Sequence, residues 1–264
     1  MMLRTVAGPV VEPLDLVELK DHLRVEVTAD DALLAVYLNA ATAKAEAETG
    51  RALVVRTLEL RLDEWPADGV IRLPYPPARR VDSVKYLDSA GAEQTVDPAA
   101  WQAELDSVPA RVQPAYGLAW PTARAVPGAV RVRFLAGHLV PFTWAAGTNL
   151  DAPGHPYAVG DTVEFSNSGG ALPTGLTARK TYYVVAATAD TFDVSATAGG
   201  GAITPTEPGT GKHYAGTLPG AIRPALLLLA GELYAGRDEA AGSAGHSAAM
   251  DLLAPWKTFA DWRL

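Results

Sequence analysis

Two segments near the N-terminus, PLDLVELKDHLRV (residues 13–25) and DDALLAVYLNAATAKAEAETG (residues 30–50), decide the fold class. Asp15 followed by Glu18 has the form of a capping box. The Asp15 carboxylate accepts an orphan N–H of the first turn, and Glu18 reaches back to the cap. Leu14 and Leu19 stand at staple positions around that cap, and Leu16, Leu19 and Leu23 make one stripe. A second helix is predicted from Thr28, with Asp31 as its reciprocal partner. Leu33, Val36, Tyr37, Ala40, Ala41 and Ala47 follow the helical period. Gly50 ends it, because glycine accepts the left-handed position after a helix without strain.

From Leu53 the period changes to two. In TLELRLDEW, Leu58, Leu60 and Leu62 alternate with Glu59, Arg61 and Asp63, the pattern of a strand with one buried and one wet face. VIRLPYPP reads as a shorter strand closed by prolines, and VDSVKYLDSAGAEQTV as two strands around a turn at 88–91. RVQPAYGLAWP reads as a loop with aromatic anchors and AVRVRFLAG as another strand. Together they predict a small antiparallel, meander-like sheet.

The texture changes again between Pro141 and Thr217, which is rich in Gly, Thr, Ala and Pro. DTVEFSN and TYYVVAATADTFDVSAT are its clear strand signals. This reads as a small all-β module set into a surface loop, since closing a longer loop costs entropy only logarithmically in its length. AIRPALLLLAGELYAGR then returns to helix. Ile222, Leu226, Leu229 and Leu233 form a stripe, and Leu227 and Leu228 make the other side apolar too, so the helix is expected to be buried all round, by its own domain or by a neighbouring subunit. EAAGSAGHSAA reads as a linker. The tail DLLAPWKTFADWRL crowds Leu252, Leu253, Trp256, Phe259, Trp262 and Leu264 together, and asks for a surface to pack on.

The chain has 264 residues, of which 48% are hydrophobic and 20% charged, an ordinary globular balance. Its net charge of −8 argues against a surface that must itself hold DNA or RNA. With no cysteine, disulfide scaffolds, thiolate metal sites and cysteine nucleophiles are excluded, which fits a reducing compartment. The first residues lack the basic and apolar regions of a signal peptide. ALLLLAG, residues 225–231, is the longest wholly apolar run and too short to span a bilayer.

Catalytic motifs are weak. GTGKH, residues 209–213, lacks the glycine of a phosphate loop at Thr206 and its hydroxyl residue at His213. GHSAA around Ser247 has no later His to complete a triad, so Ser247 is read as linker or helix cap. His22, His138, His155, His213 and His246 are scattered without metal-ligand spacing. Asp30 with Asp31, and Asp151 with Asp161, show no calcium-loop pattern. Arg79 and Arg80 read as a solvated pair, and nothing forms a basic stripe along the sequence.

The ordered series PLDLVELKDHLRV, DDALLAVYLNAATAKAEAETGRALV, IRLPYPPARRVDSVKYLDSAG, AVRVRFLAG and AIRPALLLLAGELYAGRDEA resembles the head–tail connector (adaptor) family of long-tailed phages and prophages. The resemblance implies an α+β fold, with a helical core, a small antiparallel sheet and an inserted all-β module, Ig-like or a small sandwich. The adaptor core would comprise residues 1–140 and 218–264, with a C-terminal tail at 248–264 and the inserted domain at 141–217.

The resemblance also implies a structural role: a homo-oligomeric ring, typically of twelve copies, below the portal protein in the virion neck. The ring would be assembled in the host cytoplasm and would meet a stopper or tail completion protein. Genomic DNA would pass through without sequence-specific binding. No catalysis, cofactor, metal or membrane is implied. Leu252, Leu253, Trp256, Phe259, Trp262 and Leu264 become candidate portal anchors, and Leu226, Leu227, Leu228 and Leu229 a candidate ring interface. Two alternatives stay open: a tail folded onto its own core, and a carbohydrate-binding or adhesion role for the β insert.

Overall fold

The computed structural model describes residues 1–9, 11–144, 146–236 and 247–258. The chain is α+β and forms two compact units. Unit 1 comprises Met1–Pro9, Gly50–Gly137 and Thr258–Leu264; unit 2 comprises Val10–Thr49 and His138–Lys257. The helices and the Gly/Thr-rich strands thus fall in the same unit.

Unit 1 holds two antiparallel sheets. The larger contains β1 (Met2–Ala7), β2 (Arg56–Leu62), β8 (Val130–Ala136), β4 (Ala78–Leu87) and β5 (Glu93–Thr95), in that order. The smaller contains β3 (Ile71–Leu73), β7 (Ala110–Pro114) and β6 (Trp101–Glu104). Leu58, Leu60, Val84, Val132 and Phe134 of the first share one core with Ile71, Leu73, Ala110 and Val112 of the second. The expected meander is therefore corrected: β8 returns from a distance to lie between β2 and β4, because each sheet must cover the other's apolar face.

The predicted loop at 111–121 is also corrected. Its first part is β7, whose Val112 is fully buried; only the remainder is loop. There Trp120 stacks on Trp65, with centroids 4.5 Å apart, and the two indole N–H groups donate to Gly69 O and Pro121 O. Glu59, expected on the wet face, is only 9% exposed and lies between Arg61 and Arg133.

Unit 2 carries α1 (Leu16–Leu23), α2 (Asp31–Thr49), α3 (Ile222–Ala235) and α4 (Ala248–Leu253). Asp15 caps α1 by accepting from Val17 N–H at 2.9 Å, and the staple residues Leu14 and Leu19 are both buried. α2 starts three residues later than predicted, after a turn in which Asp31 N–H donates to Thr28 O. The Asp31 carboxylate binds Lys20 Nζ at 2.6 Å instead of capping.

The buried face of α2 is rotated from the expected one. Leu34, Leu38, Ala41 and Ala45 face inward, whereas Leu33 is 37% and Val36 62% exposed. A helix that is alanine-rich all round offers no periodicity to choose between these faces. α2 ends at Gly50, which adopts φ +65° as expected.

The rest of unit 2 is one six-stranded antiparallel sheet: β10 (Leu150–Asp151), β13 (Thr191–Ser195), β12 (Thr181–Ala187), β11 (Thr162–Ser168), β14 (Lys212–Ala215) and β9 (Val140–Phe142). Its two edges meet where Thr143 and Asp151 exchange backbone hydrogen bonds of 2.8 Å, so the sheet is a nearly closed barrel. Closure removes the exposed edges that a free sheet must otherwise protect. Phe142, Phe165, Tyr182 and Phe192 fill its interior, while the buried Tyr214, paired with Ser166 and not with Phe165, lies on the opposite face, toward the segment before α1.

Candidate functional site

A dense polar cluster of unit 2 gathers around the first turn of α1. The Asp15 backbone N–H, which the capping box assigned to Glu18, donates instead to Ser168 Oγ at 2.6 Å. Ser168 in turn donates to Glu18 Oε2. Arg223, near the start of α3, grips both oxygens of Glu18 through Nε and Nη2 at 2.7 Å each, while its Nη1 donates to Asn167 O at 3.2 Å. One serine hydroxyl and one bidentate arginine thus clasp α1, α3 and the end of β11 together.

Two neighbours reinforce the clasp. Lys212 Nζ donates to Leu14 O at 3.1 Å, and the Tyr214 hydroxyl donates to Glu12 O. Burial pushes the Tyr214 hydroxyl well above the usual phenol range, and the carboxylates of Asp15, Glu12 and Glu18 act in the same sense. It therefore stays a protonated donor. The crevice here has a volume of about 30 Å³, room for a single water. Sequence reasoning marked Glu18 but assigned it a local partner. Ser168 and Arg223 lie 150 and 205 residues away, beyond any local signal.

Truncating Arg223 to alanine leaves the Glu18 carboxylate half-served. Because the two side chains are 36% and 17% exposed, solvent screening lowers the expected coupling to about 1–2 kcal/mol. A double-mutant cycle with Arg223→Ala and Glu18→Gln, followed by urea unfolding, measures it. A coupling indistinguishable from zero contradicts the clasp.

The predicted assembly residues separate. Leu226 and Leu229 are buried within unit 2, whose α3 packs on α1, α2 and α4; Leu227 and Leu228 are half-buried. Among the tail residues, Leu253 is fully buried where α4 packs on α3 and α2, while Leu252 and Trp256 are half-buried. Leu226, Leu229 and Leu253 thus serve their own core. Phe259, Trp262 and Leu264 lie outside the described residues. Ser247 caps α4 by accepting from Ala249 N–H, and Pro255 stands in the 3-10 turn that follows, where its missing N–H does no harm. Lys257 pairs with Glu48 of α2 at 2.9 Å.

The motifs set aside as weak take structural roles. In GTGKH, a Cβ on Gly211 would lie 2.3 Å from Ser168 O, so this glycine permits a tight entry into β14. Burial lowers the His213 imidazole below its ordinary range; its Nδ1 faces the Asn167 amide and its Nε2 the Pro208 carbonyl. The His155, Tyr157 and Phe192 rings pack on one another, each in contact with the other two. Among the described residues no cluster of three or more His, Asp or Glu is placed to hold a metal ion, and no helix is long and apolar enough to cross a membrane.

A capped helix, a long apolar helix and the first strands of a two-sheet unit, in this order, are the features on which a comparison with known proteins falls. Residues 13–87 match the phage gp6-like head-tail connector family. The resemblance read from the sequence therefore holds over that segment. No curated protein matches the chain.

Solved structures extend the likeness in fold. A chain of the virion of a native gene transfer agent particle is 23% identical, with 98% of this chain and 96% of that chain covered and a TM-score of 0.58. A chain from the neck of the empty particle, computed with C6 symmetry, is 24% identical over the same shares, with a TM-score of 0.57. One from the neck of the native particle, computed with C12 symmetry, is 23% identical over the same shares, also with a TM-score of 0.57. The connector-like segment, the barrel and the late helices thus belong to one shared architecture.

Proposed function

We propose that this chain is a structural head-tail adaptor of a virion neck, without catalytic activity. Copies associate into a closed ring, of twelve subunits by analogy with the C12 neck, beneath a portal protein. The ring extends the DNA channel and gives a stopper or tail completion protein its platform. Its acidic balance keeps passing DNA from adhering. The observation that carries this reading is the connector-family match over residues 13–87, within a fold alike along 98% of the chain.

In this reading residues 1–140 and 218–264 are the adaptor core and 141–217 an insertion. The insertion contributes Ser168, Lys212 and Tyr214 to the clasp, so it is a working part of the helical unit. With Leu253 committed to its own core, portal docking falls to Phe259, Trp262 and Leu264, assisted by the half-buried Leu252 and Trp256. Leu227 and Leu228 remain the ring candidates on α3.

Electron microscopy of the chain mixed with the portal from the same particle tests the assignment; rings stacked below the portal are the expected result. Deleting residues 259–264 spares α4 and should lower portal affinity at least tenfold, with an unchanged melting temperature. Portal binding equal to that of the full chain removes the docking role from these residues.

A further inference from the structure

Each side of unit 1's larger sheet has its own chemistry, and the outer side breaks a local rule. Arg61 on β2 stands directly opposite Arg131 on β8, which stands directly opposite Lys85 on β4. One row higher, Arg4 pairs with Glu59, and Glu59 with Arg133. Like charges placed directly across a sheet repel. Three cations in one row across central strands are a local conflict that folding alone does not require.

Two carboxylates relieve it only in part. Glu59 binds Arg61 at 2.6 Å and reaches Arg133 at 3.8 Å, while Glu93 binds Lys85 at 2.8 Å and Arg131 at 2.7 Å. Five cations thus share two acids. The side chains of Arg61, Arg131, Lys85 and Arg133 are between 29% and 47% exposed, and Arg4 is exposed. The face is a positively charged plate gathered from strands far apart in sequence, which is why no basic stripe is visible along the chain.

Charge is also divided between the units. Unit 1 has 13 Lys and Arg against 11 Asp and Glu, a net of +2; unit 2 has 9 against 19, a net of −10. In the α1 region of unit 2, Asp21 and Glu26 are both exposed, with the exposed Arg24 between them, so this edge of the acidic unit carries both signs.

We infer that the Arg4–Arg61–Arg131–Arg133–Lys85 plate docks on the acidic helical unit of a second copy of this chain, around Asp21 and Glu26. A basic patch on one unit and its acidic complement on the other make a heterologous, head-to-tail contact, the kind that closes into a ring. The acidic complement travels with every copy, in equal number. Glu59 and Glu93, interleaved among the cations, suit a partner carrying both signs better than a uniform row of phosphates. The inference rests on the ring reading above and names the contact that builds it.

Self-association of the full chain, measured by sedimentation at 50 mM and 500 mM salt, tests it. Wild type should associate at least tenfold more weakly at high salt, because exposed charges are screened. Arg4→Glu with Arg133→Glu should weaken low-salt association at least tenfold while leaving the melting temperature within a few degrees. Adding Asp21→Lys and Glu26→Lys to the same chain should restore association to within threefold of wild type.

Unchanged association of the Arg4/Arg133 variant, or absence of rescue, overturns the inference. So does a variant that assembles normally but loses retention on a short DNA duplex, which would make the plate a phosphate surface. If wild type associates in solution by this contact yet forms no ring with portal, the adaptor reading fails and the contact stands.

Discussion

Alanine at position 137 should destabilise unit 1 by about 3–5 kcal/mol, a large part of an ordinary domain's stability. Gly137 follows β8 with φ +146°, a conformation that residues with a Cβ rarely adopt. An added Cβ would lie 2.4 Å from Val55 N, 2.5 Å from Val55 Cα and 2.6 Å from Val54 C. All three are backbone atoms, so no side chain can swing aside.

The residue is also fixed from two directions. Its N–H donates to Pro77 O at 2.9 Å, and its carbonyl accepts from Arg79 Nε at 2.9 Å. Gly69 supplies the control: it has φ +74° and nothing within 4 Å of an added Cβ, so Gly69→Ala should cost only about 1 kcal/mol. Urea unfolding of both variants, followed by tryptophan fluorescence, gives the comparison. Equal costs would mean that close approach to Val54 and Val55 contributes nothing.

Phe165→Ala should cost the barrel about 3–5 kcal/mol, the range for an aromatic removed from a packed core. The ring is fully buried on β11, between β12 and β14, with centroids 5.2 Å from Phe142, 5.4 Å from Tyr182 and 6.5 Å from Phe192. Its loss opens a cavity at the point where the aromatic side chains of four strands converge.

A functional consequence follows, because Ser168 lies three residues further along β11 and its hydroxyl joins Asp15 to Glu18. Loosening β11 should therefore weaken the clasp on α1 as well. Limited proteolysis should cut within residues 141–217 at least tenfold faster, and hydrogen exchange should quicken at the first turn of α1. A barrel that loosens while α1 keeps full protection would show that the clasp is not carried by β11.

How much was legible in the sequence differs by element. The cap at Asp15, the staple of Leu14 and Leu19, the stop at Gly50 and the alternation in β2 depend on neighbours a few residues apart, and all appear in the structure. β1 gave no signal: five of its six residues are exposed, and it is held by backbone pairing to β2, to which side-chain pattern is blind. The inward face of α2 was misjudged because alanine on every side leaves the choice to whatever packs against it.

The candidate functional residues divide in the same way. Glu18 was conspicuous as a capping-box residue, yet Ser168 and Arg223 become its partners only when distant segments meet. Leu253 was conspicuous as part of an aromatic-rich tail, yet its full burial depends on how α4 lies against α2 and α3.

By itself, the sequence determined the cap at Asp15, the stop at Gly50, the alternation of β2, the α+β class, and the ordered series that resembles the connector family. Those features arise from hydrogen bonds and apolar periods that act over one or two turns. Only the tertiary structure decided the partner of Glu18, the closure of the barrel, the inward face of α2 and the gathering of Arg61, Arg131 and Lys85 into one row. Each joins residues whose approach is set by strand register and helix packing, which no local pattern encodes.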